Sequence, residues 1–170
     1  PGAAAETDTT SGEGEDPIAE RLDAVRRANR TETAEDYVEA IEALQRTHGE
    51  ARVRDLAPTF GVSHVTVSRT VDRLQRDGWV RTEPYRAIEL TARGAALAVQ
   101  SRKRHAVVLR FLLALGISPG AALTDAEGVE HHVSPTTLEV LRRFADERPL
   151  APDLEAVVAS LQDSATDASR

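Results

Sequence analysis

Apolar positions along the chain fall into short helical repeats separated by Gly, Pro and small polar residues. Ile18, Leu22 and Val25 are spaced for a short amphipathic helix over residues 18–29. Thr33 is placed to cap a second helix, because Asp36 stands three residues on and Tyr37, Ile41 and Leu44 follow at helical spacing. That helix is expected to run to about His48 and stop at Gly49. A short helical segment over 52–60 follows, then a turn at Gly61, then a helix capped by Ser63 with Val67, Val71 and Leu74 on one face. Asp77-Gly78 ends it. Residues 79–82 and 87–90 read as two strands joined through residues 83–86. A long apolar-rich helix is predicted over 91–115, closed by Gly116. Two shorter helices are predicted over 119–132 and 135–147, the latter capped by Ser134 with Pro135 at its first position.

The ends read differently. Residues 1–16 carry no apolar side chain larger than Ala, too little to offset the entropy of ordering, so disorder is expected there. The four segments are therefore a disordered 1–16, a helix-and-hairpin unit over 17–98 that includes the extra N-terminal helix, a helical unit over 99–148, and a tail over 149–170. The tail has room for one short helix around 154–161.

Composition narrows the chemistry. The chain of 170 residues has neither Cys nor Met, which removes disulfides, thiolate metal sites and thiol catalysis. No run approaches the roughly 18 apolar residues of a membrane helix, and the acidic, Ala-rich start lacks the layout of a secretion signal, so a cytoplasmic location and no membrane partner are expected. The net charge of −7 would argue against a polyanionic partner, but it is unevenly spread. Residues 52–104 hold 11 basic and 5 acidic groups between two acidic flanks. A basic segment of this kind can supply the phosphate-neutralising part of nucleic-acid binding.

That basic segment coincides with a recognisable pattern. In residues 56–67 (LAPTFGVSHVTV) Ala57, Gly61 and Val67 have the spacing of a helix-turn-helix. Ala57 is small where two helices cross, Gly61 accepts the left-handed turn, and Val67 plugs the angle between the helices. Pro58 is irregular there and predicts a kink in the first helix. The second helix would present His64, Val65, Ser68 and Arg69 to base edges, with Thr66 and Arg73 nearer the phosphates and its N-cap Ser63 also in the DNA-binding set. The hairpin would form a wing with Arg86 at its tip.

Residues 125–132 (DAEGVEHH) form the second dense signal. On a helix Glu127, Glu130 and His131 stand at i, i+3 and i+4, so two carboxylates and an imidazole face one way. Oxygen and nitrogen donors without sulfur suit Mn(II), Fe(II) or Zn(II). Asp36 and Glu39 form another such pair, and His105 stands on the long helix. His132 points about 100° away from His131 and reads as a structural residue or one behind the ligands.

The strings DYVE at 36–39, Arg104-His105 and DAEGVEHHVS at 125–134, with a winged helix-turn-helix between the first two, resemble the manganese transport regulators. These are the manganese-responsive branch of the diphtheria toxin repressor family, and the resemblance spans about residues 18–147. It implies a mainly α fold, with an N-terminal winged helix-turn-helix followed by a helical dimerisation domain and no SH3-like domain. It also implies a homodimer that binds palindromic double-stranded DNA when activated by metal and controls manganese uptake or homeostasis genes as a repressor. The ligand set it implies is Asp36, Glu39, His105, Glu127, Glu130 and His131, holding two Mn(II) per chain, with Fe(II), Zn(II) or Cd(II) as surrogates. The iron branch of that family carries Met and Cys at the positions of Asp36 and Glu127, so the sequence departs from it twice.

Two other readings compete. A metal-independent winged-helix repressor would keep the 52–91 segment and make the acidic cluster structural. A dinuclear carboxylate enzyme needs Glu-x-x-His motifs on two long helices, whereas here Glu127 to His131 is one residue longer and occurs once. No phosphate loop, nucleophile elbow or zinc-protease motif is present, so neither catalysis nor a small organic substrate is expected.

Overall fold

The computed structural model describes residues 17–83 and 86–163. The disorder expected over 1–16 and the centre of the wing, Pro84 and Tyr85, lie outside the described residues. Among the described residues, seven helices and one hairpin follow in the order α1 (Pro17–His48), α2 (Val53–Phe60), α3 (His64–Arg76), β1 (Val80–Arg81), β2 (Glu89–Leu90), α4 (Ala92–Ala114), α5 (Pro119–Val129), α6 (Pro135–Asp146) and α7 (Pro152–Asp163). A single 3₁₀ turn, Glu130–His132, joins α5 to the loop before α6.

The predicted break between residues 29 and 33 does not occur. Helix α1 is continuous over 32 residues, and Thr33 is not an N-cap: its hydroxyl donates to the Asn29 carbonyl 2.7 Å away, inside the helix. The intervening Arg30, Thr31 and Glu32 include neither Gly nor Pro, so nothing obliges the helix to stop, and Thr can satisfy its hydroxyl on the i−4 carbonyl. Other caps stand where expected. Ser63 Oγ accepts the Thr66 amide and Ser134 Oγ accepts the Thr137 amide. Gly61 takes φ 63° at the end of α2, and Gly49 and Gly116 take 79° and 85°. Pro58 sits inside α2, which stays helical across it. The strands are shorter than predicted, two residues each, paired antiparallel with Val80 opposite Leu90 and Arg81 opposite Glu89.

Two apolar cores form. The first packs Tyr37, Ile41, Leu56, Val67, Val71, Leu74, Val80 and Ile88 from α1, α2, α3 and the wing, with Tyr37 stacked on Phe60 at 4.3 Å. The second packs Ala106, Val108, Leu109 and Leu113 of α4 against Ala122 and Ala126 of α5 and Val158 of α7. Helix α4 runs through both, so one rigid rod carries residues of either core. Its start is fixed by contact: Thr91 Oγ1 donates to the Gly78 carbonyl at 2.8 Å, and Arg93 stacks on Trp79 at 3.6 Å. At Gly94 the backbones approach so closely that a Cβ would lie 2.1 Å from the Trp79 carbonyl oxygen. The tail is more than the weak helix expected of it. Helix α7 docks on α4 through Val158, which is 2% exposed, and through an Arg110–Glu155 ion pair. No described helix is long and apolar enough to cross a membrane.

Candidate metal centre and nucleic-acid interface

Between the two cores, α1, α4, α5 and the 3₁₀ turn carry the six predicted donors, which lie along two neighbouring clefts. Asp36 and Glu39 come from α1, His105 from α4 and Glu127 from the end of α5. Glu130 and His131 come from the 3₁₀ turn, so the predicted regular helix over 119–132 tightens at its last three residues and changes the angle between Glu127 and the other two. Nδ1 of His105 lies 2.7 Å from Oε2 of Glu130 and 3.7 Å from Glu127. Nε2 of His131 lies 3.4 Å from Asp36 and 3.7 Å from Oε1 of Glu130. Glu39 and Glu127 line two adjoining clefts, one completed by His105 and the other by Asp36 and His131. His132 is exposed.

The electrostatics are those of a crowded anionic site. Burial, followed by the charges of Glu32, Glu127 and Glu35, holds the Asp36 carboxyl above its usual range even though His131 pulls it down. Burial also raises Glu39, reinforced by Glu130 and Glu127 and opposed by a hydrogen bond from Ser101. Burial alone would lower His105, but Glu130 and then Glu127 and Glu39 outweigh it, and its affinity for a proton is raised. His131 is raised likewise, against burial, by Glu35, Glu130 and Asp36.

One buried atom stands out. Glu130 is 2% exposed, and its Oε2 has no neutral donor, its nearest partner being the His105 imidazole 2.7 Å away in an ion-pair contact. A buried carboxylate oxygen without a donor is costly, and an electropositive ligand would satisfy it. The hard oxygen and nitrogen donors fit a first-row divalent cation of the manganese or iron kind. Among the described residues, however, no three donors converge to hold an ion as they stand. The imidazoles close on carboxylates instead, and these pairs must open for a cation to enter.

Glu35, which the sequence analysis passed over, is the missing member of the cluster. It is 2% exposed, and its Oε2 accepts Nδ1–H of His131 at 2.7 Å and pairs with Arg104 at 2.6 Å. A second ion pair between the same helices joins Glu42 to Arg102. The available signal was helical spacing: a charged residue seven positions before Glu42 shares its face of α1, and apolar periodicity does not weigh such residues.

The other predicted set lies on α3 and the wing. His64, Val65, Ser68 and Arg69 are exposed on α3, whose Val67, Val71 and Leu74 are buried, and Val65 is 60% exposed. Ser63 and Thr66 are committed to each other at the cap, their hydroxyls 3.0 Å apart. Arg73 is half-buried, with Nε inaccessible and unpartnered. Arg86 is exposed on the wing, its amide bound to the Glu83 carbonyl. A groove of about 690 Å³ separates α3 from the wing, and its walls include Arg52 and Arg54 besides His64, Ser68 and Arg86. Those two arginines, at the start of α2, were not among the predicted set. The wing is held in place by Gln75, which accepts the Thr82 amide at 2.8 Å, and by Gln45, which donates to the Ile88 carbonyl.

Comparison with known proteins covers both halves. Residues 30–88 match the iron dependent repressor N-terminal DNA binding domain, and residues 91–153 match the iron dependent repressor metal binding and dimerisation domain. The transcriptional regulator MntR of Escherichia coli O157:H7 is 50% identical over 120 residues, 71% of this chain and 77% of that one. The HTH-type transcriptional regulator MntR of Listeria monocytogenes serotype 4b (strain F2365) is 38% identical over 104 residues, 61% and 73% of the two chains. Among solved structures, a manganese-dependent transcriptional repressor in complex with manganese aligns with TM-score 0.60 at 28% identity over 66% of this chain. The manganese regulator SloR aligns with TM-score 0.58 at 27% identity over 66%. The match spans about half the length of these two solved chains, 52% and 53%. With a winged DNA-binding lobe and a metal-binding lobe matched in sequence order, this chain belongs to the iron dependent repressor family, whose members are DNA-binding regulators and not enzymes.

Proposed function

We propose that this chain is a manganese-responsive transcription regulator that binds palindromic operator DNA as a metal-activated homodimer and represses genes of manganese uptake or homeostasis. The observation that carries the reading is the meeting of Asp36, Glu39, His105, Glu127, Glu130 and His131 at the junction of the two lobes. Four are hard carboxylates and two are imidazoles, with no sulfur among them, and the names of its relatives point to manganese. Two clefts sharing Glu39 and Glu127 suit two cations per chain, with Fe(II), Zn(II) or Cd(II) as surrogates. A bound divalent cation would supply positive charge to four carboxylates that otherwise repel one another.

The rest follows from where the side chains are mounted. Asp36 and Glu39 ride on the DNA-binding lobe, Glu127, Glu130 and His131 on the other, and His105 on the helix they share. Drawing these donors together fixes the angle of α1 against α4 and α5. In a homodimer joined through the second lobe, that angle sets the separation of the two α3 helices, which must match half-sites about one helical turn apart. The donors gain only in the state where they converge, so activation is a shift of population toward it. His64, Val65, Ser68 and Arg69 then meet base edges, while Arg73, Arg86 and the cap of α3, with Ser63 and Thr66, face the backbone. Because Mn(II) is the weakest binder of its series, selectivity rests on geometry, and Zn(II) binds tightly but activates less.

Selection from a random duplex pool, run with Mn(II) and with chelator, tests the reading. A palindromic site enriched only with Mn(II) is expected. Equal enrichment in both arms would replace it with the metal-independent regulator.

A further inference from the structure

We infer that Glu35 is a positioning residue for His131: it holds the ring from behind at Nδ1 so that Nε2 is turned toward the carboxylate cluster. The inference rests on the reading of His131 as a metal ligand. The two ring nitrogens have different company. Nδ1 donates to Oε2 of Glu35 at 2.7 Å, while Nε2 faces Asp36 at 3.4 Å and Glu130 at 3.7 Å. A neutral imidazole carries one proton, so holding it on Nδ1 leaves the Nε2 lone pair toward the cluster and makes that nitrogen a better donor.

The arrangement is built and not incidental. Glu35 is 2% exposed, and a buried carboxylate persists only when paired; its partner is Nη2 of Arg104 at 2.6 Å. Arg104 also reaches Ser101 Oγ at 3.4 Å, and Ser101 in turn lies 3.5 Å from Oε1 of Glu130. His131 and Glu130, neighbours on the 3₁₀ turn, are thus backed by one polar chain through Glu35, Arg104 and Ser101. Glu35 belongs to α1 and His131 to the other lobe, so the ring is oriented only when the lobes are docked. Glu35 and Asp36 are adjacent on α1, about 100° apart around the helix, and address the two nitrogens of one imidazole from different sides.

The test uses the full chain with Glu35→Ala, Glu35→Gln and His131→Ala. Long-range nitrogen–proton NMR, in chelator and at a pH where the ring is neutral, reports the His131 tautomer, and titration with Mn(II) alone reports affinity. The wild type is expected to hold the Nδ1–H form. Glu35→Ala should move the ring toward the Nε2–H form and weaken Mn(II) binding about 10- to 100-fold. Glu35→Gln, whose carbonyl still accepts, should keep the tautomer and lose less than about tenfold in affinity. An unchanged tautomer in Glu35→Ala, or a changed one with Mn(II) affinity within about twofold of wild type, overturns the positioning role. If Glu35→Ala does not fold, a shifted tautomer in Glu35→Gln does the same. His131→Ala that binds Mn(II) like the wild type would instead overturn the ligand reading, leaving the tautomer result standing as a statement about Glu35.

Discussion

On α3, His64, Val65, Ser68 and Arg69 stand in solvent on a helix whose other face is fully packed. At the lobe junction Glu35, Glu130 and His105 are 2%, 2% and 7% exposed, and their charges are only partly matched. On the function proposed above, the exposed set is complete as it stands and needs only to be aimed. The buried set is a collection of carboxylates and imidazoles biting on one another, with Glu130 Oε2 left without a donor. The difference teaches where control resides: a preformed surface cannot switch, whereas an under-satisfied junction responds to whatever satisfies it.

The strongest way to break the comparison is at the junction. Glu130→Ala should lower Mn(II) affinity more than about 100-fold, beyond the range typical of outer partners, and abolish Mn(II)-dependent retention of DNA in a gel shift. The first core, to which Glu130 does not belong, should keep its near-ultraviolet circular dichroism. On the other side, Arg69→Ala should cost about 1–3 kcal/mol of operator binding while isothermal titration with Mn(II) gives the wild-type affinity. A parallel loss of metal affinity in Arg69→Ala would mean that the two regions are not separable.

A gentler probe is pH. Asp36, Glu39, His105 and His131 all hold protons more tightly in the folded chain than ordinary groups do. The stability they contribute is therefore full below the unfolded pKa values, about 4 for the carboxyls and about 6.5 for the imidazoles. It falls as pH rises through the raised folded values. The surface pairs that depress Glu50, Glu139 and Glu155 act in the opposite sense, but below the carboxylate range. In chelator the melting temperature is expected to decline from pH 5 to pH 8. With saturating Mn(II) it should rise over the same interval, because the donors bind metal only when deprotonated. Parallel curves would sink the claim that the four groups form the metal centre.

The smallest expected effect concerns Thr33. An N-cap replaced by Ala costs about 1 kcal/mol, whereas a mid-helix Thr bonded to the i−4 carbonyl is replaced at little cost or with slight gain. Thr33→Ala should shift thermal unfolding by less than about 0.5 kcal/mol.

That case also marks the limit of what a sequence reveals. The helix-turn-helix was legible because Ala57, Gly61, Ser63 and Val67 act within a few residues of one another. The caps at Ser63 and Ser134 are local too, and they stand as read. Thr33 failed because a capping pattern can also be satisfied inside a longer helix, and the choice depends on packing of Tyr37 and Ile41 that the pattern does not contain. The 3₁₀ turn at Glu130 was invisible for the same reason, since helical spacing continues through it. Glu35 escaped because its role comes from a residue 96 positions away, and only the docking of α1 on α4 and the turn brings them together.

The close approach at Gly94 has a mechanical consequence. Helix α4 is clamped to Trp79 at that point, and His105 lies eleven residues further along, about 16 Å at 1.5 Å per residue. Clamp and imidazole are the pivot and the end of a lever. Metal coordination tolerates displacements of about 0.2 Å, which over that arm is a rotation of about one degree. With His105 as a ligand, as proposed, coordination at one end would set an angular tolerance at the other, beside the C-terminal end of α3. The single hydrogen atom that serves as the side chain of Gly94 keeps that lever from slipping on its fulcrum.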